Sequence, residues 1–186
     1  MLIRILAKHS TQPWLDYSLV DILRALARQN WPSVIGRQWR VSDLDLCVYK
    51  RGLGGWADTA LRLMFPEADV PEDAEVCFVT GERLLERSAV VHQFEDGLFL
   101  RLVDPEVEPV ANVGYRLWHG PPGFQFSNVD LEIRCEEACA YEVVSNDLMA
   151  LQHLANVFGL TEFECAPGES PVGGSVGSDG GTESSS

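Results

Sequence analysis

The sequence predicts an α+β domain: a mainly antiparallel meander of strands flanked by two to three helices. Three observations carry that expectation. Apolar residues recur at helical spacing around residues 19–27, 56–64 and 148–158. From about residue 75 the period shortens to two, the alternation of half-buried strands. Gly81 and the Glu95-Asp96-Gly97 triplet then supply turns between consecutive runs, as in hairpins rather than in a doubly wound nucleotide fold.

Taken in order, "LIRILAK" (2–8) alternates as a first strand. "DYSLVDILRALARQN" places Leu19, Ile22, Leu23, Leu26 and Ala27 on one helical stripe, capped by Asp16 or Ser18 and stopped at "NWP". "RQWRVSDLDLCVYK" (37–50) has Val41, Leu44, Leu46 and Val48 in mostly alternating positions, a strand from about residue 43. "GWADTALRLMF" (55–65) aligns Trp56, Ala60, Leu61 and Met64 as a short amphipathic helix, and "FPEADVPEDAE" (65–75) is an acidic, proline-punctuated loop. "EVCFVT", "ERLLERSAVVHQF" and "GLFLRLVD" read as consecutive antiparallel strands, giving at least four strands between about 75 and 135. "EPVANVGYRLWHG" and "FQFSNVDLEIRCEE" continue the sheet around the "GPPG" break at 120–123. The last element, "SNDLMALQHLANVFGL", starts at a Ser145 cap, buries Leu148, Leu151, Leu154, Ala155 and Phe158, and ends at Gly159.

Of the 186 residues, the last 21 (166–186) hold six glycines, six serines and two prolines with no aromatic side chain. Such a stretch cannot bury enough surface to offset its ordering entropy and is expected to be a disordered tail. Residues 1–165 are then expected to form one domain that buries roughly 70% of its unfolded surface. No segment approaches the ~18 apolar residues of a membrane span, and the opening "MLIRILAKHSTQPW" reads as a strand rather than a signal peptide. The five cysteines (47, 77, 135, 139 and 165) are odd in number and scattered, which suits reduced thiols in a cytoplasm better than a disulfide framework.

Charge is the most informative bulk property. The formal net charge is −14, but residues 1–60 carry eight cations against five acids, whereas residues 61–165 carry six against twenty. Four of the five tryptophans (Trp14, Trp31, Trp39 and Trp56) lie in the mildly basic first third. An acidic body of this kind repels nucleic-acid backbone and favours basic partners. Its densest acidic stretch is the 65–75 loop, where Glu67, Asp69, Glu72, Asp73 and Glu75 stand without an interspersed cation.

Catalytic constellations are sparse. "KRGLGG" follows a strand pattern and precedes a helical one, so Lys50, Arg51, Gly52, Gly54 and Gly55 are the candidate phosphate cradle. The stretch lacks the G-x-x-x-x-G-K-[ST] order and the full G-x-G-x-x-G pattern, and Asp58 would occupy the same orphan helix donors; a plain strand-to-helix turn explains it as well. The four histidines (9, 92, 119 and 153) share no ligand spacing, Cys135 and Cys139 have neither redox nor zinc-knuckle spacing, and no G-x-S-x-G occurs. No cofactor or metal is implied. "WHGPPGF" is the one rigid aromatic loop, with Trp118, His119 and Phe124 as candidate anchors for a partner.

The function expected first is therefore a small non-enzymatic interaction protein, of inhibitor, immunity, adaptor or chaperone type. It would offer an acidic face to a basic protein partner. One version is a mimic of nucleic-acid charge that blocks a nucleic-acid-binding enzyme, since carboxylates can stand where phosphates would. A subunit of a larger ribonucleoprotein assembly using the Trp-rich first third comes second. A small enzyme binding a phosphorylated or nucleotide ligand at Lys50–Gly55 comes third.

Overall fold

Alternation in the strands sorts side chains onto two faces, and both faces of this sheet are covered. The computed structural model describes residues 2–6, 18–29, 32–47, 60–66, 75–91, 93–112, 123–136 and 140–159. Six strands form one sheet: β1 (Leu2–Leu6), β2 (Gln38–Cys47), β3 (Val76–Thr80), β4 (Gln93–Leu102), β5 (Val129–Glu136) and β6 (Ala140–Ser145). Their order is β1-β6-β5-β4-β2-β3, and every pairing is antiparallel. Strands β4, β5 and β6 are the meander; β1 closes one edge, and β2 with β3 extends the other. The α+β class with an antiparallel sheet is as the sequence predicts.

One cross-strand row runs Cys77, Val41, Phe99, Ile133 and Val143, each opposite the next, and all are buried. Helix α1 (Leu19–Arg28) lays Leu19, Ile22, Leu23 and Leu26 on this face, and α5 (Leu148–Phe158) adds Leu151, Leu154 and Phe158. Helix α4 (Gly81–Ser88) contributes Leu84, while the single-turn α2 (Pro32–Gly36) and α3 (Ala60–Met64) contribute Val34 and Met64. Phe94 and Phe99 meet edge to face at 5.3 Å inside this core. The opposite face carries a smaller apolar cluster, Leu98, Leu100, Leu102, Phe126 and Val129, with Phe124 packed against it.

Helix starts follow capping chemistry. The Asp21 carboxylate accepts from both the Ser18 N–H (3.0 Å) and its hydroxyl (2.7 Å), which makes Ser18 rather than Asp16 the cap of α1. Pro32 opens α2, the first-turn position where its missing N–H costs nothing. Helix α5 ends at Gly159 with φ 66°, as expected for a left-handed terminal residue.

The structure corrects several expectations. Residues 82–88, read as strand, belong to α4, because the Thr80 hydroxyl caps the Arg83 N–H and Leu84 and Ser88 turn one helical face inward. Gly81 does not turn a hairpin; it starts this helix against α2, where a Cβ would lie 1.5 Å from the Val34 carbonyl oxygen. Strand β2 begins at Gln38 instead of about 43, and its alternation is broken by a bulge at Asp43, whose φ is 52°. Among the described residues of 104–128, pairing is limited to one bridge between Ala111 and Phe126, so the sheet does not continue there before Val129. The cap of α5 is Asp147, which accepts from the Ala150 N–H at 3.1 Å; Ser145 instead accepts from the Asp147 N–H and donates to the Asp130 carbonyl. The expected tail at 166–186 lies outside the described residues.

Candidate protein-binding surface

On the second face, alternation along β5 puts Glu132 and Arg134 side by side, and the register places Glu142 of β6 directly opposite Arg134. All three are buried. The Arg134 guanidinium reaches Glu132 through Nε at 2.6 Å and Glu142 through Nη1 at 3.1 Å, and its Nη2 donates to the Gly123 carbonyl at 2.8 Å. The other Glu132 oxygen accepts from the Gln125 N–H at 3.0 Å. Burial pushes the Glu132 carboxyl above the usual range, and the adjacent Arg134 charge and the Gln125 N–H pull it part of the way back. This ionic cluster clamps the strap Gly123–Phe126 across the sheet, and the Arg40 guanidinium lies 5.7 Å from the Phe126 ring centre.

The strap is the return leg of the β4–β5 connection. Its outgoing leg, "VDPEVEPV" (103–110), is an arm whose backbone is held tightly and whose side chains, apart from buried Pro109, are exposed. Asn128, in a left-handed conformation at φ 57°, does most of the holding. Its amide nitrogen donates to the carbonyls of Asp104 (2.7 Å) and Val107 (2.5 Å), and its side-chain oxygen accepts from the Asp104 N–H at 3.0 Å. The Asp104 carboxylate accepts from the Glu106 N–H at 3.0 Å, and the Ser127 hydroxyl accepts from the Val110 N–H at 3.1 Å. Asn112 ties into the strap through the Gln125 and Phe124 carbonyls, and Arg37 donates to the Val103 carbonyl at 2.9 Å. Pro105 and Pro109 fix two further φ angles.

So braced, the arm exposes Val103, Val107 and Val110 together with Asp104, Glu106 and Glu108. Val110 is 65% exposed. Among the described residues no cation pairs with Glu106 or Glu108. A rigid element that combines uncompensated carboxylates with outward aliphatic groups can dock a protein at little ordering cost.

Of the residues singled out in the sequence, Glu75 is exposed just before β3. Phe124 is half-buried against the smaller apolar cluster, so its ring holds the strap down instead of standing clear as an anchor. Glu67, Asp69, Glu72, Asp73, Trp118, His119, Lys50, Arg51, Gly52, Gly54 and Gly55 lie outside the described residues. The arm was missed because "EPVANV" resembles a strand; the two prolines flanking Glu106-Val107-Glu108 are the signal against that, since proline donates nothing to a ladder. Among the described residues no group of three His, Cys, Asp or Glu side chains could hold a metal ion, and no helix is long and apolar enough to cross a membrane. Cys77 and Cys135 are buried thiols, and burial raises the Cys77 thiol above its ordinary value. No family model, curated protein or solved structure matches the chain, so the surface is interpreted from its own chemistry.

Proposed function

We propose that this chain is a non-enzymatic interaction protein that binds a basic protein partner through the 103–110 arm. The observation that carries the reading is the bracing itself: the arm's polar backbone groups are tied to Asn128, Ser127, Asp104 and Arg37, while its valines and carboxylates are left to solvent. The carboxylates steer a cationic partner and raise its association rate, and burial of the valines slows its departure. A partner that normally grips nucleic acid fits this chemistry, its cations meeting carboxylates where phosphates would lie. Buried thiols at Cys77 and Cys135 suit a reducing compartment such as the cytoplasm.

The test is the pair Glu106→Gln and Glu108→Gln, which removes two exposed charges while sparing the Asp104 side chain that caps the Glu106 N–H. Association with the partner recovered from the native host should slow at least tenfold at low salt, equivalent to about 1.4 kcal/mol if dissociation is unchanged. The difference should shrink as added salt shortens the Debye length from about 10 Å at 0.1 M to about 3 Å at 1 M. A neutralised protein that binds like wild type across the whole salt series would refute the arm's role.

A further inference from the structure

The arm leaves the sheet at the end where β2 begins, β3 and β4 stop, β5 begins and β6 stops. Gln38 pairs with Thr80, Leu102 pairs with Val129, and Leu131 pairs with Ser145. Two other elements emerge at that end, the α2–β2 corner and the first turn of α5. The Arg37 bond to the Val103 carbonyl ties the corner to the arm. The Asp130 carboxylate accepts from Arg101 at 2.6 Å and its carbonyl from the Ser145 hydroxyl at 3.2 Å, which ties the start of β5 to the approach to α5.

Nine large apolar side chains are exposed among the described residues, and six of them sit at this end: Ile35, Val103, Val107, Val110, Leu148 and Met149. Leu148 and Met149 fall off the Leu151–Leu154–Phe158 stripe that α5 buries, and Met149 is 68% exposed. Exposed carboxylates share the same end: Asp104, Glu106 and Glu108 on the arm, Asp147 at the start of α5 and Glu82 at the start of α4. The exposed cation of the corner, Arg37, is already engaged by a carbonyl.

We infer that this end of the sheet is one docking surface, and that its occupant is a basic amphipathic helix of the partner. The inference rests on the reading of the arm as a protein-binding element and adds the shape of what binds. Charge complementarity requires cations on the occupant, and the valines, Leu148 and Met149 require an apolar stripe beside them. An added β-strand is excluded along the arm, because the N–H groups of Val103, Asp104, Glu106, Val107 and Val110 are already bonded within the protein. A helix satisfies its own backbone and offers side chains alone, which is what such a surface can recognise.

The probe is a labelled amphipathic peptide of about 18 leucine and lysine residues, roughly five helical turns, titrated by fluorescence anisotropy with the full chain. A scrambled peptide of the same composition and an all-lysine peptide of equal charge are titrated alongside. The amphipathic order should bind at least tenfold tighter than either. Val107→Ser with Met149→Ser should weaken it at least tenfold at both low and high salt, while Val157→Ser, at the far end of α5, should leave it unchanged. Glu106→Gln with Glu108→Gln should weaken it at low salt only. Thermal melts of each variant establish that the fold is intact. If the scrambled or all-lysine peptide binds equally well, or if Val157→Ser costs as much as the Val107/Met149 pair, the helix-docking inference is wrong. Loss with the Glu pair and none with the Val107/Met149 pair would leave the arm's function standing and overturn this inference alone; no change with either pair would overturn both.

Discussion

Replacing Arg134 with methionine keeps much of the buried volume of its stem but removes the positive charge of the Glu132–Arg134–Glu142 cluster. The guanidinium makes bonds at 2.6, 3.1 and 2.8 Å to Glu132, Glu142 and the Gly123 carbonyl, and both Arg134 and Glu132 are fully buried. Breaking a buried pair by deleting one partner costs about 3–5 kcal/mol, because the remaining charge stays out of water without compensation. In a chain of this size that corresponds to a fall in melting temperature of about 6–20 °C. The pH dependence has a definite sign. Burial already raises the folded-state Glu132 carboxyl, and loss of Arg134 removes the pull that lowers it. A carboxyl whose folded value lies above its unfolded one binds more protons when folded, so stability declines as pH rises from the ordinary carboxylate range through the raised value. The deficit of Arg134→Met should therefore be largest near neutrality and narrow on acidification. Urea melts at pH 8, 6 and 5 measure it. The triple variant Glu132→Gln, Arg134→Met, Glu142→Gln keeps an acceptor for the Gln125 N–H and should recover about half of the loss or more. A single variant within about 1 kcal/mol of wild type at pH 8, or a deficit that grows with acid, would refute the account.

Two further expectations concern backbone geometry. Gly81→Ala drives a Cβ into the Val34 carbonyl, the same oxygen that accepts the Trp39 indole N–H at 3.1 Å, and should cost about 3 kcal/mol with a change in tryptophan emission; a melting point within two degrees of wild type would count against the close approach. Asn128→Ala loses the amide bonds to Asp104 and Val107 and must hold φ 57° without them, so hydrogen exchange at residues 103–110 should quicken with a global cost of about 1–3 kcal/mol, whereas unchanged protection there would mean the arm is held by something else.

Helical stripes with caps were the most legible features: α1 and α5 fall where the 3.6-residue period puts them, since each buries one continuous face. Helix α4 was obscured because "ERLLERSAVV" carries both periods, and the deciding contact, Gly81 against Val34, is tertiary. Strand β2 begins earlier than alternation suggested because Ser42, polar and next to Val41, is buried as well. The same disguise hid the ionic cluster. Glu132, Arg134 and Glu142 alternate with Ile133 and Val143 in the pattern of a solvent-facing edge, and only the strap laid over them makes that face an interior. The arm was legible in composition but not in conformation, for its shape depends on Asn128, which lies across the connection at the foot of β5.

The pairing of β1 with β6 sets the order in which this sheet can be completed. Leu2 lies opposite Val144 and Leu6 opposite Ala140, so the first strand of the chain finds its partner about 140 residues later, among the most non-local contacts a chain of this length can make. At about 5–20 residues per second on the ribosome, β1 waits roughly 7–30 s for β6 to be synthesised. Within that interval β2, β3 and β4, complete by Leu102, can already be paired while the edge destined for β1 does not exist. Among the described strands "LIRIL" therefore waits longest for its partner, and its docking on β6 is what covers that edge of the sheet.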